Sequence, residues 1–140
     1  MVSKVFLDVN VLLDFLLKRK DFESAQQILL SAKTREIKVY VSPSIIQTSS
    51  YYLQRSFNTE TCKLLLSELL KIVIVIEASQ EIIQQALNSS MNDIEDAIHY
   101  YTAIKHKMDY LISSDKDFQK AALTNLPILS AEEVNKRLAH

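Results

Sequence analysis

Glycine is absent from the 140 residues. Neither a phosphate-cradling P-loop nor the glycine-rich dinucleotide fingerprint can therefore be present, because both need glycine for positive φ and for close approach of backbone to phosphate. Cysteine occurs once, at Cys62. That excludes an internal disulfide and fits a buried thiol in a reducing, cytoplasmic compartment. An excess of either charge is also missing: 16 Lys and Arg against 17 Asp and Glu leave a formal charge of −1. A broadly basic nucleic-acid surface is excluded, so any grip on RNA must be local or metal-mediated. Long apolar runs are lacking too, since the stretch from Ile72 to Ile76 is far too short to span a bilayer. The opening residues reach Asp8 before an apolar segment of signal-peptide length develops, and neither export nor a membrane partner is expected.

What remains is ordinary globular composition, nearly half hydrophobic and about a quarter charged, in a chain of one-domain length. No repeat, low-complexity tract or linker divides it, so residues 1–140 are expected to form a single domain. Short β-branched runs at 5–7, 38–41, 72–76, 110–113 and 128–129 alternate with stretches of helical spacing at 11–17, 22–33, 44–55, 59–70, 80–88, 94–107, 116–121 and 131–138. This alternation predicts an α/β fold, a three-layer α/β/α sandwich around a mainly parallel sheet of four to five strands. The run 72–76, apolar at every position, is expected to be a central strand covered on both faces. Asn92 with Glu95, and Ser130 with Glu133, have the spacing of capping boxes.

In an open parallel sheet, ligands bind beyond the carboxyl ends of the strands, near the point where strand order reverses. Asp8 directly follows the first apolar run, and Asp115 and Asp117 follow the fourth. A third acidic group, Asp93-Ile94-Glu95-Asp96, opens the helix between them, with Asp93 and Asp96 on one helical face and Glu95 directed elsewhere as the cap partner of Asn92. Should Asp8, Asp96 and Asp115 converge, three anions repel one another unless protonated or bridged by a cation. Ligation by carboxylates alone favours Mg²⁺ or Mn²⁺ over zinc or iron. Such an ion suits hydrolysis of a phosphodiester by in-line displacement.

The segments Leu7-Asp8-Val9-Asn10-Val11-Leu12-Leu13-Asp14, Asp93-Ile94-Glu95-Asp96-Ala97 and Ser113-Ser114-Asp115-Lys116-Asp117-Phe118 resemble, in order and spacing, the motifs of PIN domains, particularly small ones like the VapC toxins of type II toxin–antitoxin pairs. The resemblance spans nearly the whole chain. It implies a metal-dependent endoribonuclease with Asp8, Asp96 and Asp115 as metal ligands and catalytic residues, Asn10 orienting Asp8, Asp117 a nearby or alternative ligand, and Asp93 in the surrounding shell. It also implies RNA as substrate, a homodimer, and a small antitoxin whose tail enters the acidic groove. The chain departs from the family where an acidic residue, or Asn in some branches, is usual after the second strand. Thr48 stands there, between Gln47 and Ser49, and Val9 replaces the common Thr or Ser. The departure implies weaker metal binding and keeps alive an alternative, a PIN-like RNA- or protein-binding module without turnover. An acidic-pocket receiver domain ranks below both, because its phosphoacceptor Asp would follow a middle strand.

Other residues read more plainly. Asp14 is expected on a solvated face, His99 to pack on a half-buried helix in preference to contacting substrate, and His106 and His140 to lie at the surface. The pairs Tyr51-Tyr52 and Tyr100-Tyr101 are expected to split between core and rim or a dimer contact, and Lys18-Arg19-Lys20 to be a solvated helix end.

Overall fold

A computed structural model describes residues 2–139; His140 lies outside them. The elements run β1 (Ser3–Leu7), α1 (Val9–Leu16), α2 (Phe22–Lys33), β2 (Ile37–Val41), α3 (Pro43–Gln54), α4 (Thr59–Leu69), β3 (Val73–Val75), α5 (Gln80–Leu87), α6 (Ile94–Lys105), β4 (Tyr110–Ile112), α7 (Lys116–Lys120), β5 (Ile128–Leu129) and α8 (Ala131–Leu138). The five strands pair in parallel in the order β3-β2-β1-β4-β5. Helices flank the sheet, giving the three-layer α/β/α arrangement expected from the alternation.

The chain builds outward from β1 through β2 to β3, then returns across the sheet to place β4 on the other side of β1. Strand order therefore reverses between β1 and β4, and the carboxyl ends of these two strands flank the crevice where such sheets bind ligands. Leu7 pairs with Ile112, and one residue on, the Asp8 N–H donates to the Ile112 carbonyl at 3.0 Å. Asp8 and Ser113 thus leave the sheet side by side. The core beneath them is apolar: Val5, Phe6, Leu7, Leu12, Leu111 and Ile112 are at most 1% exposed. Full burial of one such leucine is worth about 2 kcal/mol, so the crevice stands on a rigid floor.

The expected central strand is instead an edge. β3 pairs only with β2, and Ile74 and Val75 are 42% and 40% exposed. An unbroken apolar run signals burial on two faces, but a short strand can carry the same run at a margin. The cap of α6 also differs from the expected pair Asn92 and Glu95. Asp93 is the N-cap, and its Oδ1 accepts from the Asp96 N–H at 3.0 Å. At α8 the box of Ser130 and Glu133 is present, with both reciprocal hydrogen bonds made.

Without glycine, three helices close through basic residues. Lys18, Arg35 and Lys107 have φ of 51°, 65° and 60°. After α2 the Glu36 N–H reaches the Ser31 carbonyl and the Arg35 N–H reaches that of Ala32; after α6 the Met108 and Lys107 N–H groups reach Ala103 and Ile104. These are Schellman closures, in which a left-handed residue satisfies the last carbonyls. The left-handed conformation costs a residue with a Cβ roughly 1–2 kcal/mol, and the cations sit at the negative end of the helix dipole.

Candidate active site

Asp8 is the N-cap of α1, 8% exposed, and its Oδ1 accepts from the Val9 N–H at 2.9 Å. Its other oxygen, Oδ2, accepts from the Ser113 hydroxyl at 2.8 Å. Ser113 is fully buried, and its Oγ in turn accepts from the Asp115 N–H at 3.1 Å. One hydroxyl therefore fixes the rotamer of Asp8 and the path of the loop that carries Asp115. Asp115 caps α7, taking the N–H groups of Asp117 and Phe118 on Oδ1 at 2.9 and 3.2 Å. The Gln119 amide donates to the Ser113 carbonyl at 2.7 Å and holds this turn down.

The third carboxylate comes from the first turn of α6. Asp96 is half-buried, and its carboxyl is pushed up to about 7, first by burial and then by the charges of Asp93, Asp8, Asp115 and Glu95. Burial also raises the Asp8 carboxyl above the ordinary carboxylate range. Ser113, His99 and the Val9 N–H oppose that rise, and the charge of Asp115 adds to it. Mutual repulsion of this kind requires proximity: Asp8, Asp96 and Asp115, from three separate elements, share one electrostatic site at the carboxyl edge of β1 and β4.

The remaining expected residues fall around this centre. Asp93 is exposed and acts on Asp96 by charge and through its cap. Asp117 is exposed, and its link to the centre is its backbone N–H to Asp115. Asn10 does not hold Asp8, a part that falls to Ser113. Its Oδ1 and carbonyl accept from Arg19 Nη2 at 3.2 and 3.0 Å. Arg19 is thus tied to the body rather than free at a solvated helix end. Asp14, expected at the surface, is 8% exposed and receives Arg19 Nε at 3.0 Å.

Beside the carboxylates, a cavity of about 660 Å³ runs between the start of α3, the residues after β3 and the first turns of α6. Thr48, half-buried, lines it together with Glu95 and His99. Glu95 is not the partner of Asn92. Its Oε1 lies 3.6 Å from His99 Nε2. His99 is 3% exposed, packs its ring on Phe6 and influences Asp8 by charge. Sequence reasoning passed over Ser113, whose signal is a hydroxyl two residues before Asp115 at a strand end. For His99, on the helix face that follows Asp96, it ranked packing above a substrate contact; the ring does pack on Phe6, and the residue also acts on Asp8 by charge.

A family model described as PIN domain matches residues 4–117, a span running from β1 through Asp117. The chain belongs to the PIN-domain family. Its fold is shared with solved structures at low identity. VapC20 of Mycobacterium tuberculosis, described as a sarcin-ricin loop cleaving toxin, superposes with a TM-score of 0.67 at 15% identity, over 88% of this chain and 98% of that one. VapBC2 from Rickettsia felis, solved on a fragment of its promoter DNA, gives 0.63 at 19%, over 90% and 97%. FitAcB from Neisseria gonorrhoeae gives 0.68 at 16%, over 91% and 98%. At such identities the likeness is one of fold. No curated protein sequence matches the chain.

Among the described residues of this PIN domain, no three His, Cys, Asp or Glu side chains are close enough to enclose a metal ion. The donors nonetheless fit a hydrated cation. All are carboxylate oxygens, their charges act on one another across the crevice, and Mg²⁺ is commonly held by one or two carboxylates with several waters retained.

Proposed function

We propose that this PIN domain is a metal-dependent endoribonuclease and the toxin of a toxin–antitoxin pair, with RNA as substrate, Mg²⁺ or Mn²⁺ as cofactor, a small antitoxin as partner and a homodimer as its assembly. The observation that supports the reading is that Asp8, Asp96 and Asp115 stand at the carboxyl edge of the sheet, with the charges of Asp8 and Asp115 adding to the effect of burial in raising the Asp96 carboxyl. Family membership supports the chemistry, and the likeness to VapC and FitAB structures supports the toxin role.

Asp8, Asp96 and Asp115 would hold the ion, with Asp117 at hand beside Asp115 and Asp93 adding negative charge behind Asp96. A bound divalent ion supplies an activated water and neutralises charge developing on the phosphate. The chain's own groups do the rest. Ser113 keeps Asp8 Oδ2 in one direction, so a ligand atom is placed before substrate arrives. Asp115 is fixed by two N–H groups on one oxygen. Asp96, whose carboxyl is raised first by burial and then by its acidic neighbours, would have to be ionised to serve as a ligand.

Thr48 favours a second reading. Where an acidic residue is usual in the family, a neutral hydroxyl lines the cavity, and a site with one charge fewer can bind without cutting. Incubation of a mixed RNA pool with the protein and increasing Mn²⁺ separates the two. Cleavage in wild type that falls by at least 100-fold in Asp8→Asn is the expected result. RNA retained without cleavage at any Mn²⁺ concentration replaces the enzyme with the binding module.

A further inference from the structure

We propose that the cavity beside the carboxylates is a base pocket for the nucleotide flanking the scissile phosphate, that its occupant is guanine, and that Glu95 reads it. The inference rests on the ribonuclease reading and names the specificity of that same site. Three observations lead to it.

The cavity lies next to the proposed catalytic edge through two residues of α6. His99 lines it and also acts on Asp8, while Glu95, which lines it too, is the neighbour of Asp96. On the proposal, an RNA whose phosphate lies at the carboxylates places its next nucleotide toward this cavity. At about 660 Å³ the cavity is within the range of small-molecule sites, roughly 300–1,000 Å³.

Its walls suit a base rather than a phosphate. Pro43, Ala78, Ile94 and Ile98 supply apolar faces, and Ile94 is 60% exposed, so its side chain is open to a ligand. Among the described residues, the lining includes two carboxylates, Glu77 and Glu95, and no Lys or Arg. Such a lining repels the phosphodiester and accepts hydrogen bonds. Single-stranded RNA is commonly read in this way, with bases splayed onto apolar surfaces and recognised at their Watson–Crick edges.

The acceptor stands at the cavity mouth. Glu95 Oε1 lies 3.6 Å from the buried His99 Nε2, so this solvent-exposed carboxylate has one oxygen beside a residue of the same lining. A carboxylate accepts two parallel donors. Guanine is the base that offers them, as N1–H and N2–H side by side. Cytosine and adenine present one exocyclic amine next to an acceptor, and uracil one N–H between two carbonyls. Gln47 and Thr48 lie across the cavity with an amide and a hydroxyl for the remaining base edge.

The test uses the full chain and short single-stranded RNAs that differ only in the nucleotide beside the cleaved bond. Binding is followed by fluorescence anisotropy with Ca²⁺ in place of Mn²⁺, and cleavage is mapped with Mn²⁺. We expect guanine to be favoured about tenfold over each other base, the scale of one bidentate contact, and Glu95→Gln to reduce the ratio to about one. Because Glu95 also acts on Asp96, absolute rates will shift in the variant, so the readout is the ratio between RNAs. The Glu95 side chain is 68% exposed, and an unchanged melting temperature will show that the variant folds.

Cleavage without base preference, or a preference that survives Glu95→Gln, overturns the pocket and leaves the nuclease standing. Guanine-selective binding without cleavage retains the pocket and removes the nuclease. Displacement of RNA by an arginine-containing peptide, with no preference among bases, overturns the proposal in favour of a protein tail.

Discussion

Ser113 shows how much one buried hydroxyl can decide. It donates to Asp8 and accepts from the backbone of Asp115, so its removal strands a buried carboxylate oxygen and a backbone N–H together. Leaving buried polar groups unpaired costs about 1–3 kcal/mol, and we expect Ser113→Ala to lower stability by that order in urea melts at pH 7. The same change removes a hydrogen bond that favours charged Asp8, so Mn²⁺ binding followed by calorimetry should weaken as well. Ser113→Thr, which keeps the hydroxyl, should recover most of both losses. Retention of full stability and Mn²⁺ affinity in Ser113→Ala would show that Asp8 is placed by its helix cap alone. At this scale the sequence revealed the acidic residues but not their supports. A carboxylate after a strand advertises itself, whereas the hydroxyl that aims it lies 105 residues away. Asn10 shows the opposite case: two residues from Asp8 in sequence, it engages Arg19.

At the scale of elements, the helix starts were legible because each cap is a local bargain between a side chain and the next turn. α8 is the clearest case. Ser130 Oγ accepts from Glu133 N–H at 3.1 Å and Glu133 Oε1 accepts from Ser130 N–H at 3.0 Å. Ser130→Ala should cost about 1 kcal/mol. The hydrogen bonds from Ser130 hold the Glu133 carboxyl below its ordinary value of 4.5. A depressed folded-state pKa stabilises the fold above the unfolded value and loses that effect as pH falls through the folded one. The difference in melting temperature between wild type and Glu133→Gln should therefore be present at pH 6 and shrink below pH 4. A difference constant across that range would exclude the ionised box. Strand position was not legible. Nothing within Ile72-Val73-Ile74-Val75-Ile76 tells whether a neighbour pairs on one side or on two, because that depends on where the whole chain turns back. The α6 cap misled for a simpler reason: Asn92 and Asp93 are both good caps, and choosing between them requires the register of the helix.

For the whole molecule, the order β3-β2-β1-β4-β5 brings residues 8, 96 and 115 to one edge, where the raised Asp96 carboxyl ties stability to pH and, on the proposed function, to metal. Alternation of strands and helices made the layered fold readable, and the motif order made the edge readable. The strength of the mutual repulsion was not, since it depends on burial that only the folded chain creates. The Asp96 carboxyl rises from 3.8 to about 7 on folding, so the folded state prefers it protonated. The sign follows: a raised pKa contributes stability below the unfolded value, and that contribution disappears as pH rises through the folded one. Metal-free protein should therefore lose melting temperature between about pH 4 and pH 7 through this group, and Asp96→Asn should flatten that part of the profile. A divalent ion competes with the proton for the same oxygens and stabilises the folded state by mass action. Added Mn²⁺ should raise the melting temperature more at pH 8 than at pH 5.5, and EDTA should reverse the gain. Equal Mn²⁺ effects at both pH values, or an effect undiminished in Asp96→Asn, would place the ion away from Asp96 and leave the carboxylate's raised pKa as a consequence of packing alone.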